Sequence, residues 1–222
     1  MKTLKIEELS KNFGTTEVLR KINLEIDEGN FLVLLGPSGC GKSTLLNIIG
    51  GLDSPTEGQV SVLGQALNDT SHGERARLRR KHMGFIFQNY NLLPVYTVFE
   101  NVELPLILNK IDRDKRRSMV EQAVESVGLR DKMDSRPNML SGGECQRTAI
   151  ARAIVHEPAL IMADEPTGNL DSSSSKEIIK LIEELNKGGL TLVVVTHDKE
   201  MGRRSDRLIE LLDGKIINDT KS

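Results

Sequence analysis

Gly36-Pro37-Ser38-Gly39-Cys40-Gly41-Lys42-Ser43-Thr44 is the stretch that decides the fold. It fits the spacing G-x-x-x-x-G-K-[ST], and the residues before it, Phe31 to Leu35, are all apolar. A buried strand that breaks into a Gly-rich turn, followed by a helix starting near Lys42, is the context in which this spacing works. Glycine reaches backbone angles closed to other residues, so successive N–H groups can converge on phosphate oxygens. The helix N-terminus adds partial positive charge, Lys42 reaches the β- and γ-phosphates, and Ser43 offers a hydroxyl to Mg²⁺. Residues 36–44 therefore predict a nucleoside triphosphate site.

Three more apolar segments read as buried strands from their length and from the residues that end them: Gly84–Phe87, Leu160–Ala163 and Leu192–Val195. Each runs directly into polar residues, namely Gln88, then Asp164-Glu165, then Thr196-His197-Asp198. Ligands of an open parallel sheet sit outside the carboxyl ends of its strands, so all these groups are expected around one crevice. Asp164 is expected to hold Mg²⁺ with Ser43, usually through water. Glu165 is placed to orient or deprotonate an attacking water. Gln88 is either a contact to Mg²⁺ or that water, or a plain polar strand end. His197 is either a donor to the γ-phosphate or a structural histidine.

Val18–Ile26 and Gln59–Leu63 alternate apolar and polar residues, the pattern of half-exposed antiparallel strands. Leu208–Leu212, Asp213-Gly214 and the following Lys-Ile-Ile read as a hairpin. Residues from about 92 to 155 carry helical signals, clearest over Asp114–Val127 and Glu144–Val155. Ser172–Ser175 is a short polar run. The expected architecture is a single α/β domain over 1–222: a mainly parallel core sheet, an N-terminal antiparallel part and a helical insertion.

Composition narrows the partners. In 222 residues, 30 Lys+Arg against 32 Asp+Glu leave a net charge of −2, so nothing global points to nucleic acid. Cys40 and Cys145 make no disulfide framework and fit a reducing compartment. Acids near the N-terminus break any signal-peptide core, and no apolar run approaches the ~20 residues of a membrane helix. The expectation is a soluble, cytoplasmic chain that something else must hold at a membrane if it works there. The run Arg75–Lys81 reads as a solvated helix face rather than a lipid patch. Cys40 is expected to make nucleotide binding sensitive to alkylation.

Leu140-Ser141-Gly142-Gly143-Glu144 opens the helix that runs to Val155. A serine and two glycines at a helix start either bind an anion or simply cap the helix. With one lysine loop and one metal site in the chain, the second helix start is expected to grip a nucleotide held by another subunit. Two chains head to tail would then form two composite sites about one two-fold axis.

In this order the motifs resemble those of the ATP-binding subunit of an ATP-binding-cassette (ABC) transporter, over essentially the whole chain. They are the phosphate loop 36–44, Gln88, the signature 140–144, the apolar strand into Asp164-Glu165, Asn169-Leu170-Asp171 and the switch His197. The resemblance implies a P-loop NTPase fold and hydrolysis of ATP with Mg²⁺. It implies an ATP-dependent homodimer on the cytoplasmic face of the membrane, held there by a permease partner. It further implies that Phe13 stacks on adenine with Val18 in the same pocket, and that Ser141–Glu144 and Asp171 contact the partner subunit's ATP. Asn91–Pro94, Thr97–Leu106 and Asp164–Asp171 resemble the lipoprotein-releasing, macrolide-efflux and cell-division branch. Glu144 stands where glutamine is commoner, and Cys145 where glutamine is frequent. A soluble ABC protein of DNA repair or ribosomes is the competing class, usually marked by a coiled-coil insertion or a second cassette.

Overall fold

The computed structural model describes residues 2–221, which form two sheets and a helical layer. The core sheet has the order β10-β9-β3-β8-β7-β6. Its members are β3 (Phe31–Leu35), β6 (Met83–Phe87), β7 (Leu160–Asp164), β8 (Thr191–Thr196), β9 (Arg207–Leu212) and β10 (Lys215–Lys221). Strands β6, β7, β8, β3 and β9 are mutually parallel, and β10 returns antiparallel along the edge. The apolar runs of β3 and β8 are buried throughout, as expected of strands covered on both faces. Register pairs Phe87 with Asp164 and Asp164 with Val195, so Gln88, Glu165 and Thr196 leave the sheet side by side.

The second sheet is antiparallel, with the order β2-β1-β4-β5. Its strands are β1 (Lys2–Phe13), β2 (Thr16–Asp27), β4 (Glu57–Val62) and the short β5 (Gln65–Ala66). In β2 the buried Ile22, Leu24 and Ile26 alternate with exposed neighbours. The sequence did not mark β1, and its backbone explains why. Leu4 and Ile6 are buried at period two, but Glu8 bulges out at φ 49° and Leu9 resumes in the other phase. Gly58 at φ +84° crosses the bulge so closely that any Cβ would strike the Glu7 and Glu8 carbonyls.

Among the described residues the α-helices are α1 (Lys42–Ile49), α2 (His72–His82), α3 (Val98–Leu108), α4 (Arg113–Ser126), α5 (Gly142–Ile154), α6 (Ser172–Lys187) and α7 (Lys199–Arg203). One apolar core lies around α1 between the sheets, and a second lies under α3 to α6. The Ser172–Ser175 run proves to be the first turn of α6, capped by Asp171 through the Ser173 and Ser174 N–H groups. The hairpin at 208–217 is present, with Asp213 and Gly214 both at positive φ, and β9 additionally pairs parallel with β3. Among the described residues, no helix is long and apolar enough to cross a membrane.

Candidate nucleotide site

The chain leaves β3 at Leu35 and enters α1 at Lys42. Gly39 (φ +82°) and Gly41 (φ +103°) hold the left-handed backbone that turns the loop back on itself. Gly41 occupies the N-cap position, no side chain caps α1, and its first turn has no acid. Its leading N–H groups are thus free to meet an anion. Lys42 is buried and folds across the loop, donating from Nζ to the carbonyls of Gly36 (2.8 Å) and Pro37 (2.9 Å). Pro37, Ser38 and Gly39 are exposed on the rim, and Thr44 is half-buried on α1. Cys40 differs from its expected behaviour. Its thiol is buried in the core beneath the loop and packs against Gly36, so it is shielded from alkylation in the folded chain.

Ser43 Oγ donates to Asp164 Oδ1 at 3.2 Å. Burial pushes the Asp164 carboxyl above its ordinary range, opposed by the Ser43 hydrogen bond and the Lys42 charge. A desolvated carboxylate beside a hydroxyl is a pair of hard oxygen donors, which fits Mg²⁺. Among the described residues, no cluster of three His, Cys, Asp or Glu side chains could hold a metal unaided. A Mg²⁺ held here would take its other ligands from phosphate and water oxygens, the usual arrangement for that ion.

Glu165 is clamped from three directions. Thr196 Oγ1 donates to its Oε2 at 3.0 Å, the His197 N–H donates at 3.4 Å, and His197 Nδ1 lies 3.0 and 3.1 Å from the two oxygens. Its own N–H continues the ladder to the Val195 carbonyl at 2.8 Å, although φ is 48°. His197 therefore positions Glu165 here while its ring stays largely exposed. The sequence places Thr196 at the crevice without a role of its own, and here it is a donor to Glu165. Its signal was a hydroxyl ending a strand that is otherwise apolar after Thr191.

Among the described residues, no hydrogen bond links Gln88 to Ser43 or Asp164. Its Nε2 donates to Asn169 Oδ1 at 3.2 Å, and Asn169 Nδ2 returns bonds to the Gln88 carbonyl and Asn89 Oδ1. Asn169 thereby ties Gln88 to the segment that ends in Asp171. Asp171 lies exposed at the start of α6, where four N–H and O–H groups of Ser173 and Ser174 hold its carboxyl far below the ordinary range. Phe13 stands exposed at the end of β1 with Lys11 Nζ 4.8 Å from its ring centroid. Val18 lies beside Gly41 on the following strand.

Ser141 and Glu144 form a reciprocal capping box: Glu144 N–H donates to Ser141 Oγ at 3.2 Å, and Ser141 N–H to Glu144 Oε2 at 2.7 Å. Glu144 also lies 3.7 Å from Lys132, so its charge is turned inward to the helix start. Gly142 and Gly143 pack against Tyr90 and Ser174. Among the described residues, no hydrogen bond joins residues 140–144 to the phosphate loop of the same chain.

With this geometry in place, residues 19–168 match the ABC transporter family. The chain belongs to the ABC transporter family. It is 47% identical over 207 residues to an uncharacterized ABC transporter ATP-binding protein of Methanocaldococcus jannaschii, covering 93% of this chain and 92% of that one. It is 46% identical to the macrolide export ATP-binding/permease protein MacB of Bdellovibrio bacteriovorus, covering 92% of this chain but only 31% of that protein. Among solved structures, the dimeric bacterial ABC cassette MJ0796 in a post-hydrolysis state with ADP and Pi superposes with a TM-score of 0.89. Identity there is 42%, over 98% of both chains. The fold is that of an ABC ATPase cassette, and an ABC ATPase takes ATP with Mg²⁺.

Proposed function

We propose that this chain is the ATP-hydrolysing subunit that closes head to tail with a second copy around two ATP molecules and thereby drives a separate membrane permease. Residues 1–222 act as one ATPase domain, with about 92–155 as its helical subdomain. One observation carries this reading. Among the described residues, the Glu165 carboxylate is clamped beside an uncapped phosphate loop, yet no hydrogen bond joins the signature helix start to that loop. Such a helix start serves the nucleotide of another copy. The dimeric state of MJ0796 with ADP and Pi supports the same arrangement.

The residue roles follow from their placement. Phe13 and Val18 take the adenine side, and residues 36–44 take the phosphates. Lys42 exchanges its two loop carbonyls for phosphate oxygens, a charge-assisted replacement of neutral acceptors. Ser43 and Asp164 would hold Mg²⁺, with Gln88 joining once Asn169 releases it; a bound ion would supply positive charge against the developing phosphate charge. Glu165 accepts a proton from the attacking water, and Thr196 and His197 fix its direction. Ser141, Gly142, Gly143, Glu144 and Asp171 belong to the partner's ATP. The resemblance of Asn91–Pro94 and the likeness to MacB favour a permease of the lipoprotein-release, macrolide or peptide efflux type. That partner would hold the subunit at the cytoplasmic face of the membrane.

Glu165→Gln is expected to lower turnover by roughly 10²–10⁴-fold, the usual worth of a general base. With saturating ATP it is expected to elute at twice the 24.6 kDa chain mass. A variant that stays monomeric in ATP on size exclusion with light scattering would refute the composite site. Pull-down of the tagged variant from detergent-solubilised membranes tests the branch. An integral membrane protein with a large extracytoplasmic domain supports it, and purely soluble partners overturn it.

A further inference from the structure

Between Gln88 and the signature helix lies a connection that none of the nucleotide roles uses. Arg152 sits in the last turn of α5, the helix that Ser141 opens. Its guanidinium reaches out of the helical layer and donates to two successive carbonyls, Asn91 O at 2.5 Å and Tyr90 O at 2.7 Å. These two residues directly follow Gln88 and Asn89, and both are non-glycines held at positive φ, 59° for Tyr90 and 49° for Asn91. Asparagine visits the left-handed region readily, but at a residue as bulky as tyrosine that backbone persists only where the surroundings over-determine it. Here the fork of a guanidinium, rigid and bidentate, does so.

Tyr90 closes the connection at the other end of the same helix. Its hydroxyl lies over Gly142, close enough that a methyl group there would stand 3.0 Å away. One residue of the loop is therefore gripped through its carbonyl by the last turn of α5 and rests through its side chain on the first. Among the described residues, Arg152 makes no ion pair; the half-buried guanidinium has these two neutral carbonyls as its partners. Arg152 and Asn91 also line the apolar groove beside α2 and α3.

We infer that Arg152 is a positioning residue that clasps the 90–91 loop to the signature helix, so that Gln88 of one ATP site and Ser141 of the other move as one body. The inference rests on the composite-site reading above. Without the clasp each half of the machinery still folds and binds, but α5 no longer takes its orientation from the loop. ATP-driven closure then loses its coupling while nucleotide binding to a single subunit does not.

The test places Arg152→Met and, separately, Asn91→Gly in the Glu165→Gln background. ATP affinity is read from a fluorescent ATP analogue at concentrations below dimerisation, and dimerisation from sedimentation velocity at saturating ATP. Arg152→Met is expected to keep the analogue affinity within about two-fold and to weaken dimerisation at least ten-fold. Asn91→Gly removes the need for a held left-handed backbone without touching α5. It is expected to weaken dimerisation several-fold with an unchanged melting temperature. Dimerisation at the parent's level in both variants overturns the clasp. So does Arg152→Met losing melting temperature, affinity and dimerisation in parallel while Asn91→Gly matches its parent, since that is a plain structural brace. A parent that fails to dimerise would instead overturn the composite site, and the clasp with it.

Discussion

Asn101 shows what one fully buried amide does in this chain. It accepts from the Leu93 N–H at 2.8 Å and donates to the carbonyls of Leu93, Tyr96 and Thr97. The turn that carries exposed Leu93 and Val95 is thus pinned from inside α3. The residue entered the sequence argument as part of a branch resemblance, and the structure gives that identity a physical reason. Asn101→Ala strands a buried donor and several acceptors, which costs about 2–3 kcal/mol. Urea denaturation should show that loss, while ATP affinity stays unchanged because Asn101 lies outside the phosphate loop. Equal stability of variant and parent would count against the pinning role. Glu165 shows the opposite limit: its identity was legible from the strand before it, but its clamp was not, because Thr196 comes from a strand 31 positions away.

Helix starts are where sequence and chemistry meet at the next scale. Helices α2, α3 and α5 each open with a reciprocal capping box, Ser71/Glu74, Thr97/Glu100 and Ser141/Glu144. In the last, the Ser141 N–H and hydroxyl hold the Glu144 carboxyl below its ordinary value of 4.5, aided by Lys132 and Arg147. A carboxylate depressed in the fold adds stability above its unfolded value and loses it as pH falls through the folded value. Glu144→Gln keeps an oxygen for the cap but does not titrate. The parent should therefore lose melting temperature more steeply than the variant below about pH 4.5, and the two curves should run parallel from pH 6 to 8. Parallel curves throughout would show that the cap is not charge-assisted. The elements legible in advance were those with one dominant signal: the buried runs of β3, β6, β7 and β8, the alternation in β2, and α4 and α5. Strand β1 hid behind the Glu8 bulge, α6 behind four serines that are poor helix formers away from a cap, and β9's parallel pairing behind a strong hairpin signal. Tertiary contacts such as Arg152 with Tyr90 and Asn91 had no local signature at all.

At the scale of the whole molecule, a large apolar groove lies away from the phosphate loop. It measures about 540 Å³ and lies where the core sheet meets the helical layer, with Leu52, Ala76 and Phe85 on one side and Leu104, Pro105 and Leu108 on the other. Leu52 and Leu108 are 52% and 60% exposed, and the pinned turn adds Leu93 and Val95 nearby in sequence to α3. On the function proposed above, such a surface is the expected seat of a permease segment, because any tilt of α3 and α5 against the core sheet changes the width of the groove. An apolar wall tolerates a buried carboxylate poorly, since an unpaired charge cannot be desolvated cheaply. Leu108→Glu, made in the Glu165→Gln background, should therefore fold and dimerise with ATP like its parent. It should also recover at least ten-fold less membrane protein in a detergent pull-down. The same change at Leu52, on the opposite wall, should act alike, whereas Leu212→Glu, exposed beside the phosphate loop, should recover the parent's amount. Undiminished recovery with both groove variants would move the permease contact elsewhere on the chain.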